Sequence, residues 1–428
     1  MLGERRILVQ GPSPLRVVFR VVFVAALALT AAAQSAAARP ARASSLTTFT
    51  VTAPNSYSAL LAWSLPSKAS QIRLFRGSSL LDEFPATTAG SYTDYLLWQN
   101  TRYRYRLKAT SGTGKLLVNL SRWITTPTQV GSFPLLYSST SFWNVPVPEA
   151  PAVDPNSAAI MVSSILPYAN TVPIDNDDGW GMPIAYANPQ SVLYDVGCTK
   201  YNCQVPVSFR IPRYAKPNLG SGGAWDGHLA VYDPATNHEL DMWEGVYDVT
   251  TDTWSAGGRS DTLADWGAVC SPGLHCGGGG VAAGFNEFGG VIRPEEIAQG
   301  HIDHALVMAA PYVRANFISC PATNIWASQS ASYVDDPNAL PLGAHLWLPR
   351  TFDVDAQSWP SWEKVVAHAL QDYGAYLADV GGNIAVRGEA NLDRGYDAWA
   401  LVGMSTVPHP NLLNLPWDQM QVLQLQPC

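Results

Sequence analysis

Apolar side chains in this chain recur at every second position, in short runs closed by Gly, Pro, Asn or Asp. A period of two sends alternate side chains to opposite faces of an extended strand. Residues 102–107 alternate without a break, and residues 60–63 and 71–75 follow the same rule. With 34 Gly and 32 Pro to make turns in 428 residues, the pattern predicts a predominantly all-β chain and not a helical bundle. At roughly 100–200 residues per domain, the length allows two to four domains. Charged residues are 14% against 47% hydrophobic, which excludes a disordered polyampholyte. A formal net charge of −8 argues against nucleic acid as a partner, since that affinity comes mainly from neutralised phosphates.

Residues 1–38 read as a signal peptide. Arg5, Arg6, Arg16 and Arg20 precede an apolar run at 21–33, and Ala36 and Ala38 supply the small pair before cleavage. The run is shorter than the ~20 residues a spanning helix needs, so the mature chain is expected to be secreted, without a membrane span. A membrane anchor is the competing reading. Six Cys agree with an oxidising compartment. Spacing favours Cys198 with Cys203 and Cys270 with Cys276, which leaves Cys320 for Cys428. The gaps do not suit paired zinc ligands.

Residues 46–127 hold the densest alternation, with turns such as Arg76-Gly77-Ser78. Trp63 lies early in the segment. Asp94, Leu97, Thr101, Tyr103, Tyr105, Leu107 and Ala109 form a Leu-x-x-x-Thr-x-Tyr-x-hydrophobic pattern. The segment resembles a fibronectin type III domain over about a fifth of the chain, with Gln99 where the family often has Pro. The resemblance implies a β-sandwich that buries Trp63 and ties the Tyr103 hydroxyl to backbone as a corner tyrosine. It implies a spacer or binding module of the kind that bacterial polysaccharide-degrading enzymes often carry.

Residues 128–132 read as a linker, and residues 133–428 as one larger domain holding all the Cys and all eight His. Helices are expected at 156–166, 293–300 and 361–379, the last with Ser361 as its cap and Trp362, Val365, Val366, Ala369, Leu370, Tyr373 and Leu377 on one face. The rest reads as strands, giving a jelly-roll or lectin-like β-sandwich with a few marginal helices. A β-propeller is the alternative, though no blade repeat appears.

The most informative segment is a hairpin. Residues 225–233 and 238–244 both alternate, around the turn-like Pro234-Ala235-Thr236-Asn237. Pairing Asp233 with His238 sets Ala230 opposite Asp241 and His228 opposite Trp243. Leu229, Val231, Leu240 and Met242 then share a core face. Asp226, His228, Ala230, Tyr232, Glu239, Asp241 and Trp243 share the other, which is expected to be open. Indole and phenol planes stack on pyranose faces, carboxylates accept hydroxyl hydrogen bonds, and paired carboxylates divide acid and base roles. Asp226 with Asp241 is the leading catalytic pair, assisted by His228 and Tyr232. Asp241 with Glu244 is another pair, although Glu244 has core parity. Trp225, Trp243, Glu239, Glu244, Glu287 and His304 are the expected substrate-binding residues.

Weaker features surround it. Gly300-His301-Ile302-Asp303-His304 offers an imidazole near neutral pH. The Gly-rich stretch at 277–290 carries Glu287 as the acid of a mobile cleft wall. Asp175, Asp177 and Asp178 would suit a structural calcium, though a solvated turn explains them as well; no other cofactor is implied. Asp226-Gly227-His228 with Asp241-Met242-Trp243, the motif at 300–306, Tyr373-Gly374-Ala375 and residues 415–423 resemble a group of secreted actinobacterial proteins. That resemblance implies a shared fold and export, and carries over no catalytic residue.

These features point to a polysaccharide or cell-wall glycan as partner. The first reading is a glycoside hydrolase acting through Asp226 and Asp241. A polysaccharide lyase with Tyr232 or His228 as base is a variant, for which only Arg210, Arg213, Arg259 and Arg293 lie near in sequence as cations. The reading from another class is a non-catalytic carbohydrate-binding or matrix adhesion protein.

Overall fold

The computed structural model describes residues 47–201, 203–221, 224–268, 280–325 and 330–428. The expected signal peptide and the Cys270–Cys276 pairing lie outside the described residues.

Seven strands come first: β1 (Thr48–Asn55), β2 (Ser58–Ser64), β3 (Gln71–Arg76), β4 (Ser79–Pro85), β5 (Ala89–Asp94), β6 (Arg102–Thr110) and β7 (Leu116–Thr125). They form two antiparallel sheets, β1-β2-β5 and β4-β3-β6-β7. The alternation does the work here. Tyr103, Tyr105, Leu107 and Ala109 of β6 point inward and are buried, as are Leu61 and Trp63 of β2 and Ile72 and Leu74 of β3. Trp63 stacks on Phe84 at 5.9 Å between centroids. The Trp98 backbone N–H donates to Tyr103 Oη at 2.7 Å. This is the corner tie expected of Tyr103, in a sandwich with the buried early Trp.

Among the later described residues the regular structure is again mainly strand, in short pieces joined by long irregular segments. One six-stranded sheet orders Gly197–Tyr201, Thr253–Leu263, His238–Trp243, Leu229–Asp233 and Ile184–Tyr186, with Val246–Asp248 beside Thr253–Leu263. A second orders Gln421–Val422, His345–Trp347, Ala375–Val380, Leu306–Ala310, Ala385–Arg387 and Ile174–Asp175. The fold is all-β, but these sheets are mixed and not wholly antiparallel. Leu229–Asp233 runs parallel to Ile184–Tyr186, and Leu306–Ala310 runs parallel to Ala375–Val380.

The first of these sheets is buried on both faces. Leu229, Val231, Leu240 and Met242 pack with Tyr194, Phe209 and Ile211 in one core. Ala230 and Ile184, on the opposite face, pack in another core with Phe285, Leu306, Met308 and Val386. Disulfides join Cys198 to Cys203 and Cys320 to Cys428. Among the described residues no helix is long and apolar enough to cross a membrane.

The helix expected at 361–379 is shorter, Ser361–Asp372, and Pro360 occupies its cap position. The N–H groups of Tyr373 and Gly374 both donate to Ala369 O, which closes the last turn. Gly374 has φ +72°, and a Cβ there would collide with His345. The chain then reverses into the strand Ala375–Val380. Tyr373-Gly374-Ala375 is therefore a helix exit, and Leu377 reaches the core from a strand. The other two helices form near their expected positions. Ser157–Ile160 continues through a π turn and a 3-10 turn to Tyr168, and Pro294–Gln299 stops at Gly300 with φ +88°.

Candidate functional site

The hairpin forms in the expected register, with Asp233 opposite His238, Ala230 opposite Asp241 and Leu229 opposite Met242. Its apolar face is core. The polar face is not open, which corrects the expectation of an exposed saccharide surface. Ala230, Glu239 and Asp241 are fully buried, because residues 283–288 and Tyr137 lie over them. Asp241 accepts from Glu287 N and Asn286 Nδ2, both at 2.9 Å, and from Ser260 Oγ at 3.1 Å. Glu239 accepts from Phe288 N at 2.9 Å and Tyr137 Oη at 2.8 Å. These two carboxyls tie a loop to a sheet. Asp241 has no free oxygen to serve as a nucleophile or base beside Asp226.

Burial pushes both acids above the usual carboxylate range, and the Glu239 charge raises Asp241 further. A carboxyl raised on folding contributes stability below its unfolded value of about 4, and that contribution is lost as pH rises through the folded value. Asp241→Asn removes the charge and keeps one acceptor oxygen, so the donors on one side of the carboxyl, Glu287 N or the Ser260 and Asn286 pair, lose theirs. It is expected to preserve the fold and flatten the alkaline loss of stability. Asp241→Ala strands the donors and is expected to cost about 3 kcal/mol, read from urea unfolding midpoints at two pH values.

His228 lies just before the Leu229–Asp233 strand. The Asn218 side chain holds it in place, accepting its backbone N–H at 2.9 Å. His228 Nδ1 is hydrogen-bonded to Oε1 of fully buried Glu287. Arg387 Nη1 donates to the other Glu287 oxygen at 3.0 Å, and Arg387 Nη2 to Asp379 Oδ2 at 2.6 Å. Four residues from four separate segments thus form one chain of contacts, His228–Glu287–Arg387–Asp379. His228 Nε2 has no hydrogen-bond partner among the described residues. The side chains of His228, Arg387 and Asp379 keep 6%, 11% and 14% exposure, so the cluster touches solvent along one edge.

Electrostatics favour a charged ring. Burial works against the imidazolium, but the charge and hydrogen bond of Glu287 outweigh it and raise the His228 pKa. Burial raises Asp379 despite Arg387. The charge of Asp226 reaches Arg387, and the half-buried Asp226 carboxylate makes no hydrogen bond among the described residues. Beside it Trp225 is 41% exposed, with Nε1 donating to Asn218 O at 3.0 Å. The Trp225 ring covers Gly227, which has φ +60° and no room for a Cβ.

The other expected site residues are dispersed. Tyr232 is four strand positions from His228, about 13 Å along an extended chain, and its hydroxyl donates to Asn237 Oδ1 at 3.0 Å. Trp243 lies 5.6 Å from Tyr201, with Lys200 Nζ 5.1 Å from its ring. Glu244 has φ +51°, which swings it out of its core parity to pair with Lys200 Nζ at 2.6 Å. His304 is buried and both ring nitrogens are engaged, by Glu296 Oε1 and Ala305 O at 2.9 Å each. It fastens the 294–299 helix to a strand and has no nitrogen left for a ligand. Glu287 is not a mobile cleft wall but the buried partner of His228. Asp177 Oδ1 accepts from Gly179 N and Trp180 N at 3.0 and 2.7 Å, closing a turn. Among the described residues no His, Cys, Asp and Glu gather as a metal site.

Arg387 and Asp379 are not among the residues the sequence singles out. Arg387 lies 100 positions from Glu287, and no motif marks it.

No family model matches this chain, and no curated protein matches it, so the likeness to secreted actinobacterial proteins finds no support. Several solved structures are similar to it. One titled as a myokine structure is 22% identical, covering 19% of this chain and 93% of that one, with a TM-score of 0.16. The sixth fibronectin type III domain of human fibronectin type III domain containing protein 3 is 22% identical, covering 20% and 87%, with a TM-score of 0.16. A Yersinia enterocolitica family 28 exopolygalacturonase is 11% identical, covering 51% of this chain and 47% of that one, with a TM-score of 0.18.

Proposed function

We propose that this chain is an exported carbohydrate-active enzyme that hydrolyses a glycan at the His228 cluster. The observation that carries the reading is His228 oriented through Nδ1 by a buried Glu287 while Nε2 has no hydrogen-bond partner among the described residues. A carboxylate that fixes an imidazole and raises its pKa prepares it to donate a proton to a leaving oxygen. Asp226, whose carboxylate makes no hydrogen bond among the described residues and whose charge reaches Arg387, is the group assigned to activate water or stabilise developing positive charge. Trp225 supplies a fixed ring for a sugar face. Arg387 is shared between Glu287 and Asp379, so it has little charge to spare for a uronate, and a neutral glycan suits the site better. The two disulfides agree with export.

The small exposed area of the cluster favours a second reading, a non-catalytic glycan-binding protein. One experiment separates the two. Purified protein is incubated with a panel of neutral and acidic polysaccharides, and reducing ends and unsaturated products are assayed. Hydrolysis is expected, with His228→Gln and Asp226→Asn each lowering the rate about 100-fold or more. Binding without product selects the second reading. Activity that survives both substitutions removes this site.

A further inference from the structure

The outward face of β6 carries Arg102, Arg104, Arg106 and Lys108 at alternate positions, while Tyr103, Tyr105, Leu107 and Ala109 fill the core behind them. Successive cations are therefore about 7 Å apart along the strand. Two rings on the neighbouring strands interleave with this ladder. Trp123 of β7, opposite Arg104, is 55% exposed and lies 4.5 Å from the Arg102 guanidinium and 5.9 Å from that of Arg104. Phe75 of β3, opposite Arg106, lies 4.7 Å from its guanidinium. Such contacts hold a guanidinium flat while leaving its N–H edge free.

No carboxylate neutralises this ladder among the described residues. The nearby ion pair belongs to Arg73 and Glu83, and Arg106 Nε has no acceptor among the described residues. Arg102, Arg104 and Arg106 line one side of a groove of about 830 Å³ that also takes in Trp98 and Trp123, with Tyr396 and one carboxylate, Asp397, on its far side. Charge is segregated around it. Residues 47–127 carry nine basic and three acidic residues, net +6, whereas residues 128–428 carry 11 basic and 30 acidic, net −19. A concentrated cation row on an otherwise acidic protein favours an anionic ligand there.

We propose that this groove docks an acidic polysaccharide, a polyuronate chain lying along β6 with its carboxylates on Arg102, Arg104 and Arg106 and its sugar faces against Trp98 and Trp123. The guanidinium fork matches a carboxylate in two-point hydrogen bonding. Duplex nucleic acid carries one charge per ~1.7 Å of axis, far denser than one carboxylate per sugar, so the acidic remainder of the protein repels it more strongly than a polyuronate. A groove walled by β6 and Trp123 on one side and residues 394–401 on the other admits a single polymer strand better than the convex surface of a second copy. The inference goes beyond the function proposed above and shares no residue with the His228 cluster, so the polymer that anchors the protein and the bond that is cleaved need not be the same.

Calorimetric titration of the full chain with an oligogalacturonate of defined length tests it. Binding is expected, weakening in high salt, and about tenfold or more weaker for the fully methyl-esterified oligomer. Arg102→Gln, Arg104→Gln and Arg106→Gln together, with the thermal midpoint as a folding control, are expected to weaken binding about tenfold or more, and Trp123→Ala to weaken it as well. The triple variant leaves the His228 cluster intact and is expected to hydrolyse a neutral glycan as wild type does, so failure of the hydrolytic reading and failure of this one are distinguishable. No binding by wild type, equal binding of the ester, or equal binding by the triple variant overturns the proposal. Tighter binding of a single-stranded DNA oligomer, or self-association that the triple variant abolishes, overturns it too.

Discussion

Arg394→Ala is expected to cost the folded chain about 3–5 kcal/mol, enough to remove much of the net stability of an ordinary domain. Arg394 is fully buried and forks onto two carboxylates, Glu295 at 2.6 and 2.9 Å and Glu389 at 2.7 and 2.6 Å. Arg293 also pairs with Glu389. Removing Arg394 leaves Glu295 charged and buried without a cation, and an unpaired buried charge costs far more than a lost surface pair. The same residue anchors the first sandwich. Its carbonyl accepts from Arg76, whose guanidinium also binds Asp94 at 2.9 and 3.0 Å. The pH dependence follows from Glu389. Burial opposes its charge, but Arg293 and Arg394 outweigh that and hold its pKa below the usual value. A depressed carboxyl contributes stability above its unfolded value of about 4.3, lost as pH falls through the folded one. The deficit of Arg394→Ala, measured by denaturant midpoints, should therefore be largest near neutrality and shrink in acid. Adding Glu295→Gln removes the stranded charge and should recover part of the loss. Equal deficits at all pH values would show that the lost side-chain volume, and not the charge, matters.

The contrast between the two halves of the hairpin explains what the sequence reveals. Register and face are local properties: a four-residue turn between two alternating runs places Asp233 opposite His238, and parity does the rest. What covers a face is not local. Glu239 and Asp241 look like solvent-facing acids because strands beside water also alternate. Here the alternation is between an apolar core and a polar layer sealed by Asn286, Glu287 and Phe288, some fifty positions later. The first sandwich was legible down to Tyr103 because its sheets do alternate between core and water. The Ser361–Asp372 helix was legible as a helix but not in its length, because apolar residues at 375–380 suit either period until Gly374 breaks the chain. Arg387 and Asp379 had no signature, since they acquire meaning only through His228 and Glu287.

Glu287→Gln offers the sharper test of that cluster. With its carbonyl oxygen on His228 Nδ1 the variant keeps that hydrogen bond and the backbone N–H on Asp241, but it removes the charge that raises His228 and takes an acceptor from Arg387 Nη1. Burial then acts on the imidazole with less opposition, and its pKa should fall. If His228 donates the proton in glycan cleavage, activity is held below its pKa and lost above, so the alkaline limb of the rate profile should move to lower pH in Glu287→Gln. The rate at neutral pH should drop about tenfold or more. Stability must follow the same sign. A histidine raised on folding contributes below its unfolded value of about 6.5, and the contribution disappears as pH rises through the folded value. Wild type should therefore gain over the variant on acidification through neutrality, until the carboxylates themselves protonate. NMR titration of the His228 ring reads the pKa directly. A shift in the ring without a shift in the rate profile would leave His228 as a structural ion pair and pass the proton donor's role to another group.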